Sequence, residues 1–479
     1  MSEHYPLLVP GVRAATARLT VVSPYDLQPI ATLDMADAAA VDRALATAYG
    51  LFRDRDAWLP AAQRIAILTR TAALMEAHRE QLALEASREG GKPLADSQIE
   101  VSRAIDGVRN SVDCLRNTAG REIPMGIDAA SQQRLAMTHR EPIGVVVAVS
   151  AFNHPLNLIV HQVGPAIAAG CPVIVKPAED TPLSCYRFVQ LLREAGLPKA
   201  WCQALVTTGP DISERLATDP RVGFFSFIGS ARVGWMLRSR LAPGTRCALE
   251  HGGAAPVLVA ADAELAAMLP LLAKGGFYHA GQVCVSVQRV FCDASIAAAV
   301  AGGLAEHAGR LKVGDPLRAE TEVGPLIRPR EVARVHAWVE EAIAGGARLL
   351  CGGKPISETC YAPTVLLDPP PAARASCEEI FGPVVSVFSC GNMDAAIEQA
   401  NALPYAFQAA VFTQRLDVAL RAYRRLDASA VMVNDHTAFR VDWMPFAGLR
   451  QSGLGVGGIP YSFRDMQIEK MLVVKSAEL

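Results

Sequence analysis

The chain has 479 residues, of which 51% are hydrophobic and 20% charged, so it can bury large cores and is neither disordered nor fibrous. Its 46 basic and 48 acidic side chains give a formal charge of −2, without the basic surplus that nucleic acids or anionic membranes attract. Any affinity for an anion must therefore come from a local cluster of cations. No apolar run reaches the roughly 18 residues of a spanning helix; the best, Ile143–Val149, is strand-sized. The opening Met-Ser-Glu-His-Tyr-Pro lacks the basic and apolar regions of a signal peptide, so a cytoplasmic protein is expected. Its eleven cysteines are an odd number without a CxxC pair, which argues against a disulfide scaffold or a zinc ribbon. Most should be small buried side chains, and the open question is whether one is a nucleophile.

The first third reads as helical. Residues Ala36–Phe52, Ala61–Ser87 and Ile99–Arg116 carry alanine, leucine and interspersed charge at helical spacing, and a break with Pro124 follows at Gly120–Gly126. From Pro142 short apolar strands alternate with helices. Strands are predicted at Ile143–Val149, Val173–Lys176, Gln203–Val206, Val222–Phe227 and Arg246–Glu250. Helices are predicted at Leu156–Ala169, Pro182–Ala195, from Asp211, and at Ser230–Arg240. This alternation implies a parallel sheet covered on both faces. A second alternating block runs from about Gly252 to Met432, and a glycine-dense tail ends in a last strand at Met471–Lys475. The predicted fold class is α/β, with two doubly wound parallel-sheet domains and a small β element.

Three segments carry side chains suited to catalysis. Phe277-Tyr-His-Ala-Gly-Gln-Val-Cys284 places a thiol after a glycine turn, where backbone amides can stabilise a thiolate. Leu249-Glu-His-Gly-Gly253 ends an apolar strand in a carboxylate. Ala151-Phe-Asn-His-Pro155 sets an amide between a buried strand and a helix, where Asn153 could donate to a developing oxyanion or cap the helix. Each alone also suits an ordinary structural role. Together, Asn153, Glu250 and Cys284 resemble, in order and context, the catalytic elements of the aldehyde dehydrogenase superfamily. Val175-Lys-Pro-Ala-Glu179, Phe227-Ile-Gly-Ser230, Glu378-Glu-Ile-Phe-Gly-Pro383, Pro445-Phe-Ala-Gly448 and Ser452-Gly453 are similar to further segments of that family, from about residue 140 to 455.

The resemblance implies oxidation of an aldehyde to an acid, with Cys284 as nucleophile, Asn153 and the Cys284 backbone N–H as the oxyanion site, and Glu250 as base for the hydrolytic water. It implies NAD binding by Phe152, Lys176, Glu179, Gly229, Ser230, Glu379 and Phe381. A carboxylate at Glu179 repels a 2′-phosphate, so NAD is expected over NADP, and no metal is expected. The dinucleotide-binding domain is expected at 1–119 and 143–251, the catalytic domain at 252–450, and a bridging element at 120–142 and 451–479 that joins a homodimer or homotetramer. Two departures stand out. His251 follows the general base where leucine is usual, and an imidazolium there would lower the pKa of Glu250. The segment Ser452-Gly-Leu-Gly-Val-Gly457 lacks the Arg-Glu that often follows this serine and glycine.

Arg103, His154, His161 and Arg440 fall at positions expected to line the substrate tunnel. Two arginines and two histidines would suit a short aldehyde with a dianionic tail. Phe439-Arg-Val-Asp-Trp-Met-Pro-Phe446 resembles the branch with lactaldehyde and phosphonoacetaldehyde dehydrogenases. Phosphonoacetaldehyde is therefore the expected substrate, with lactaldehyde or another short hydroxyaldehyde next and succinate semialdehyde after it. The rival readings are a CoA-acylating relative, disfavoured by Glu250, and a catalytically silent protein on the same scaffold, disfavoured by retention of all three catalytic elements.

Overall fold

The computed structural model describes residues 3–12, 15 and 17–479. A six-stranded sheet runs in the order Gly453–Leu454, Arg246–Glu250, Val222–Ile228, Val145–Val149, Val173–Lys176, Cys202–Ala204. Every pair in it is parallel except the Gly453–Leu454 edge. The parallel strands are short apolar runs because helices cover both faces. On one face, Leu94–Arg116 and Asn157–Ala169 supply Val101, Ile105, Val108, Ile159 and Val163 to a large core. On the other, Ala38–Arg53 contributes Val41 and Leu45 to a second cluster with Phe225 and Leu249.

The second sheet has seven strands: Arg348–Cys351, Thr364–Leu367, Val384–Cys390, Val287–Asp293, Ala255–Val259, Gln408–Phe412 and Ala430–Val433, in that order. Only the Arg348–Cys351 edge is antiparallel. Its faces are again both packed, around Val290, Val385 and Leu304 on one side and Leu258, Phe291 and Val411 on the other. A three-stranded antiparallel sheet joins Arg134–Pro142 to Glu122–Ile123 and to the C-terminal strand Gln467–Lys475. The fold is thus α/β with two doubly wound sheets and a small β element.

Several elements differ from their sequence expectation. Ala61–Ser87 is two helices, Ala61–Ala77 and Arg79–Gly90, broken where His78 leaves helical geometry at φ −104° and ψ 16°. The N-terminal third also contains the strands Glu3–Tyr5, Ala17–Val22 and Pro29–Ala36, and the last of these pairs with Val206–Thr207. Residues 453–454, expected in the bridging element, instead pair with Leu249 and Glu250 at the edge of the first sheet. Among the described residues no helix is long and apolar enough to cross a membrane.

Candidate active site

In the first sheet the chain enters at Val145–Val149, winds outward through Val173–Lys176 to Cys202–Ala204, then crosses back to Val222–Ile228 on the opposite side. The strand order therefore reverses between Val145–Val149 and Val222–Ile228, and a crevice opens outside the carboxyl ends of strands at such a point. A cavity of about 590 Å³ lies there, lined by Val149, Ser150, Phe227 and Ile228 from those strand ends. Lys176, Glu179, Ser230, Glu250, Cys284 and Arg440 line the same cavity.

Cys284 lies in the turn between the short 3₁₀ segment Tyr278–Gly281 and the strand Val287–Asp293. His279 and Ala280, just before it, both have left-handed backbone, with φ of 48° and 53°, a geometry that costs non-glycine residues energy and persists only where the surroundings enforce it. Gly281 is also left-handed, at φ 69°, and a Cβ on it would collide with the Gly382 carbonyl. Burial pushes the Cys284 thiol up to about 12, Arg440 pulls against that, and Glu379 and Glu250 add to it. Burial thus works against the thiolate that the backbone amides of this turn would stabilise. All eleven cysteines are free, and Cys284 is the one among them that lines this cavity.

Asn153 does not cap the following helix. The Asn157–Ala169 helix has no capping side chain at its own N-terminus. Instead the buried Glu100 carboxylate accepts the Leu156 and Asn157 N–H groups at 2.9 and 3.0 Å. Asn153 donates its amide to the Gln282 carbonyl at 2.9 Å, which ties it to the Cys284 turn.

Glu250 ends its strand at the cavity, and burial raises its carboxyl above the ordinary value while Arg440 opposes the shift. The neighbouring His251 does not act as an imidazolium. It is 2% exposed, burial lowers its pKa, and its Nδ1 meets the Gln451 carbonyl at 2.9 Å. Its ring packs edge-on against Phe227 and Trp235 instead. The expected lowering of the Glu250 pKa through His251 is therefore absent.

Lys176 donates to Glu179 at 2.5 Å, and Arg328 holds Asp180 through two contacts at 2.7 and 2.5 Å. Burial works against ionisation of Glu179, but Lys176 outweighs it and lowers the carboxyl. Ser230 starts the Ala231–Arg238 helix without spending its hydroxyl on a cap, and the first-turn N–H groups there suit an anion. Glu379 packs over Gly252, where a Cβ would collide with its carboxylate, and accepts the Gly253 N–H at 3.1 Å. Its burial pushes its carboxyl up to about 8. Phe381, at φ 47°, meets Phe152 edge-on at 5.8 Å.

The four residues expected in the substrate tunnel divide. Arg103, His154 and Arg440 line the cavity; His161 does not, lying 3% exposed behind it. His154 Nδ1 is 2.7 Å from Lys92 Nζ, which pairs with Glu100 in a fully buried cluster. Arg103 is held by both carboxylate oxygens of Asp442, at 3.1 and 2.7 Å. Asp442, Lys92 and Glu100 were not anticipated from the sequence. Only Asp442 left a signal there, an acid two residues after Arg440 in an apolar run.

A model of the aldehyde dehydrogenase family matches residues 12–472. The chain belongs to that family. It is 35% identical over 473 residues to 3-sulfolactaldehyde dehydrogenase of Priestia aryabhattai, covering 98% of each chain. It is 32% identical to lactaldehyde dehydrogenase of Methanocaldococcus jannaschii, covering 95% of this chain and 97% of that one. Among solved structures, aldehyde dehydrogenase 21 of Physcomitrella patens in complex with succinate superposes with a TM-score of 0.95 at 32% identity, covering 100% of this chain and 99% of that one. The NADP complex of a glyceraldehyde-3-phosphate dehydrogenase from Methanocaldococcus jannaschii superposes at 0.91 and 31% identity, over 97% and 100% of the chains. The protein is thus an NAD(P)-dependent oxidoreductase acting on aldehydes.

Proposed function

We propose that this aldehyde dehydrogenase oxidises a short aldehyde whose far end bears a single negative charge, a sulfonate or carboxylate, and that it uses NAD. One observation carries the substrate reading. The cations lining the cavity are Arg103, Lys176, Arg328, Arg330, Arg334 and Arg440. All but Arg440 are ion-paired, to Asp442, Glu179, Asp180 or Glu331. Arg440 has no carboxylate partner among the described residues, and its Nε is buried without a hydrogen bond. Glu250 acts on it only from beyond ion-pair distance, so this buried guanidinium favours an anion, and its one charge matches one negative charge on the ligand. A phosphonate doubly ionised in mildly alkaline solution is a poorer match than the sequence suggested, because Asp442 has already neutralised Arg103. The 3-sulfolactaldehyde specificity named for the Priestia aryabhattai relative agrees with a monoanionic tail.

The chemistry uses the groups at the strand ends. Cys284 gives its thiol proton to solvent, and Sγ attacks the aldehyde carbon to form the thiohemiacetal. The Asn153 amide and the Cys284 N–H stabilise the oxyanion of the thiohemiacetal. Bound NAD supplies the hydride acceptor that converts the thiohemiacetal to a thioester. Glu250 then takes a proton from the water that hydrolyses that thioester.

The residues present fit a dinucleotide, because the crevice sits at the topological reversal and offers an unspent serine hydroxyl at a helix N-terminus. Lys176 and Glu179 would bind the adenosine ribose, Gly229 and Ser230 the pyrophosphate, and Glu379, Phe381 and Phe152 the nicotinamide end. The ionised Glu179 disfavours a 2′-phosphate. The C-terminal strand leaves Met471, Leu472, Val473 and Val474 between 41% and 55% exposed, an apolar edge that a homodimer or homotetramer would cover.

The deciding experiment is a kcat/KM panel of sulfoacetaldehyde, 3-sulfolactaldehyde, succinate semialdehyde, phosphonoacetaldehyde, lactaldehyde and propanal, with NAD and NADP, with and without CoA. A monoanionic aldehyde should exceed propanal at least tenfold without CoA. Preference for propanal or lactaldehyde, or a rate that needs CoA, overturns the reading.

A further inference from the structure

Asp442 lies behind the cavity wall, in contact with the lining residue Arg103. It is 2% exposed, and its carboxylate accepts from Arg103 Nε and Nη2 at 3.1 and 2.7 Å, from Asn157 Nδ2 at 3.1 Å and from His161 Nε2 at 2.7 Å. Burial opposes its ionisation, yet His161 and Arg103 hold its carboxyl far below the usual range. Asp442 is thus a permanent negative charge behind the pocket wall.

The same carboxylate orders the second arginine through an intermediary. With Nε2–H committed to Asp442, the neutral imidazole of His161 presents the Nδ1 lone pair, and Arg440 Nη2 donates to it at 3.3 Å. Burial and the Arg440 charge push the His161 pKa down to about 4, which keeps the ring neutral at working pH. The Arg440 guanidinium is also stacked on Phe446, 3.5 Å from the ring centroid. One buried acid therefore cancels Arg103 and, through His161, orients Arg440.

We propose that Asp442 is the positioning residue that sets the pocket's preference for a monoanionic over a dianionic aldehyde, by neutralising Arg103 while His161 relays its orientation to Arg440. This rests on the monoanionic reading above and adds what enforces it. Among Arg103, Asp442, His161 and Arg440 the formal charge is +1, from two arginines, one carboxylate and a neutral histidine. Asp442→Asn raises it to +2 with nearly the same shape. Arg103→Gln lowers it to zero. The double variant returns it to +1.

The test measures kcat/KM at pH 8 for phosphonoacetaldehyde, sulfoacetaldehyde and propanal, as dianion, monoanion and neutral probe, in the wild type, D442N, R103Q and R103Q/D442N. The ratio of phosphonoacetaldehyde to sulfoacetaldehyde should rise at least tenfold in D442N. In R103Q both anions should lose at least tenfold relative to propanal. In the double variant the wild-type ranking should return, although the absolute rates fall. A purely structural role predicts parallel losses on all three aldehydes in every variant, and that result overturns the proposal. Should D442N fail to fold, R103Q and the double variant still decide it, since failure of the double variant to restore the ranking is equally fatal. A wild type that prefers propanal refutes the monoanionic reading itself. A wild type that prefers sulfoacetaldehyde, with a D442N ratio unchanged, refutes only the role of Asp442.

Discussion

Gly457 lies directly against Glu250. A Cβ at residue 457 would collide with the Glu250 Oε1 and stand 3.0 Å from the Phe446 carbonyl. The glycine-dense tail is thus spacing rather than slack. Its Gly453–Leu454 segment pairs with the strand that carries Glu250, and Gly457 exchanges backbone bonds with Phe446 at 2.7 and 3.0 Å. The base is walled in by backbone that has no side chain to give.

This geometry predicts a specific defect in Gly457→Ala. The added methyl must displace either Glu250 or its own backbone, at about 1–3 kcal/mol for overpacking. Glu250 is the softer of the two, so the base moves. Hydrolysis of the thioester should slow at least tenfold while the first turnover survives, giving a burst of NADH followed by a slow steady state. Stopped-flow absorbance shows this directly; equal loss of burst and steady state would mean that acylation, not the base, is affected.

The thiol and its neighbours predict a pH signature. Burial raises Cys284 to about 12 and raises Glu250 above an ordinary carboxyl, while Arg440 pulls both down. Activity requires thiol deprotonation and an ionised base, so kcat/KM for propanal should climb with pH through the neutral range. Arg440→Met removes the positive charge, raises both pKa values, and should move that limb to higher pH. Propanal has no anionic tail, so a shift seen with it reports the thiol and base rather than lost anion binding. Cys284→Ala should abolish NADH production and keep dinucleotide binding, measured by quenching of protein fluorescence.

The proposed preference for NAD rests on Glu179. Its carboxylate is held ionised by Lys176, and an ionised group beside the ribose repels a second phosphate. The wild type should favour NAD over NADP at least tenfold in kcat/KM. Glu179→Gln removes the repulsion while Lys176 and Arg328 remain, so that ratio should narrow several-fold, chiefly through KM for NADP. An unchanged ratio would place the discrimination elsewhere.

Much of this was legible in the chain, for identifiable reasons. Val173–Lys176 falls where its apolar run predicted, because a strand buried on both faces leaves no alternation to misread. The break at His78 had no glycine or proline to announce it. The N-terminal strands were missed because Ala17–Val22 and Pro29–Ala36 pair with each other and with distant Val206–Thr207 rather than within an alternating block. At the candidate site, side chains read from local motifs line one cavity, whereas their long-range partners were not legible. Arg103 was recognised as a cation near the tunnel, but its neutralising acid lies 339 residues away. Glu100, acting as the cap of a helix that begins 57 residues later, was invisible for the same reason.

A second distant cap gives the last prediction. Glu89 is fully buried, and its carboxylate accepts the Leu183 N–H at 2.6 Å, the Ser184 N–H at 2.8 Å and the Ser184 hydroxyl at 2.5 Å. The Leu183–Glu194 helix begins at Pro182 with no cap of its own, so these bonds replace one. Glu89→Ala leaves these donors buried and unpaired, at about 1–3 kcal/mol for each one left unsatisfied. Burial pushes the Glu89 carboxyl up to about 8 against the pull of its donors. A folded-state pKa raised above the ordinary carboxyl value gives stability that is complete below that ordinary value and is lost as pH rises through about 8. The wild-type Tm should therefore fall between about pH 5 and pH 9, and the slope should flatten in Glu89→Gln, which cannot ionise. Differential scanning calorimetry across that range checks both variants. A wild-type slope that Glu89→Gln leaves intact would assign the pH dependence to other groups.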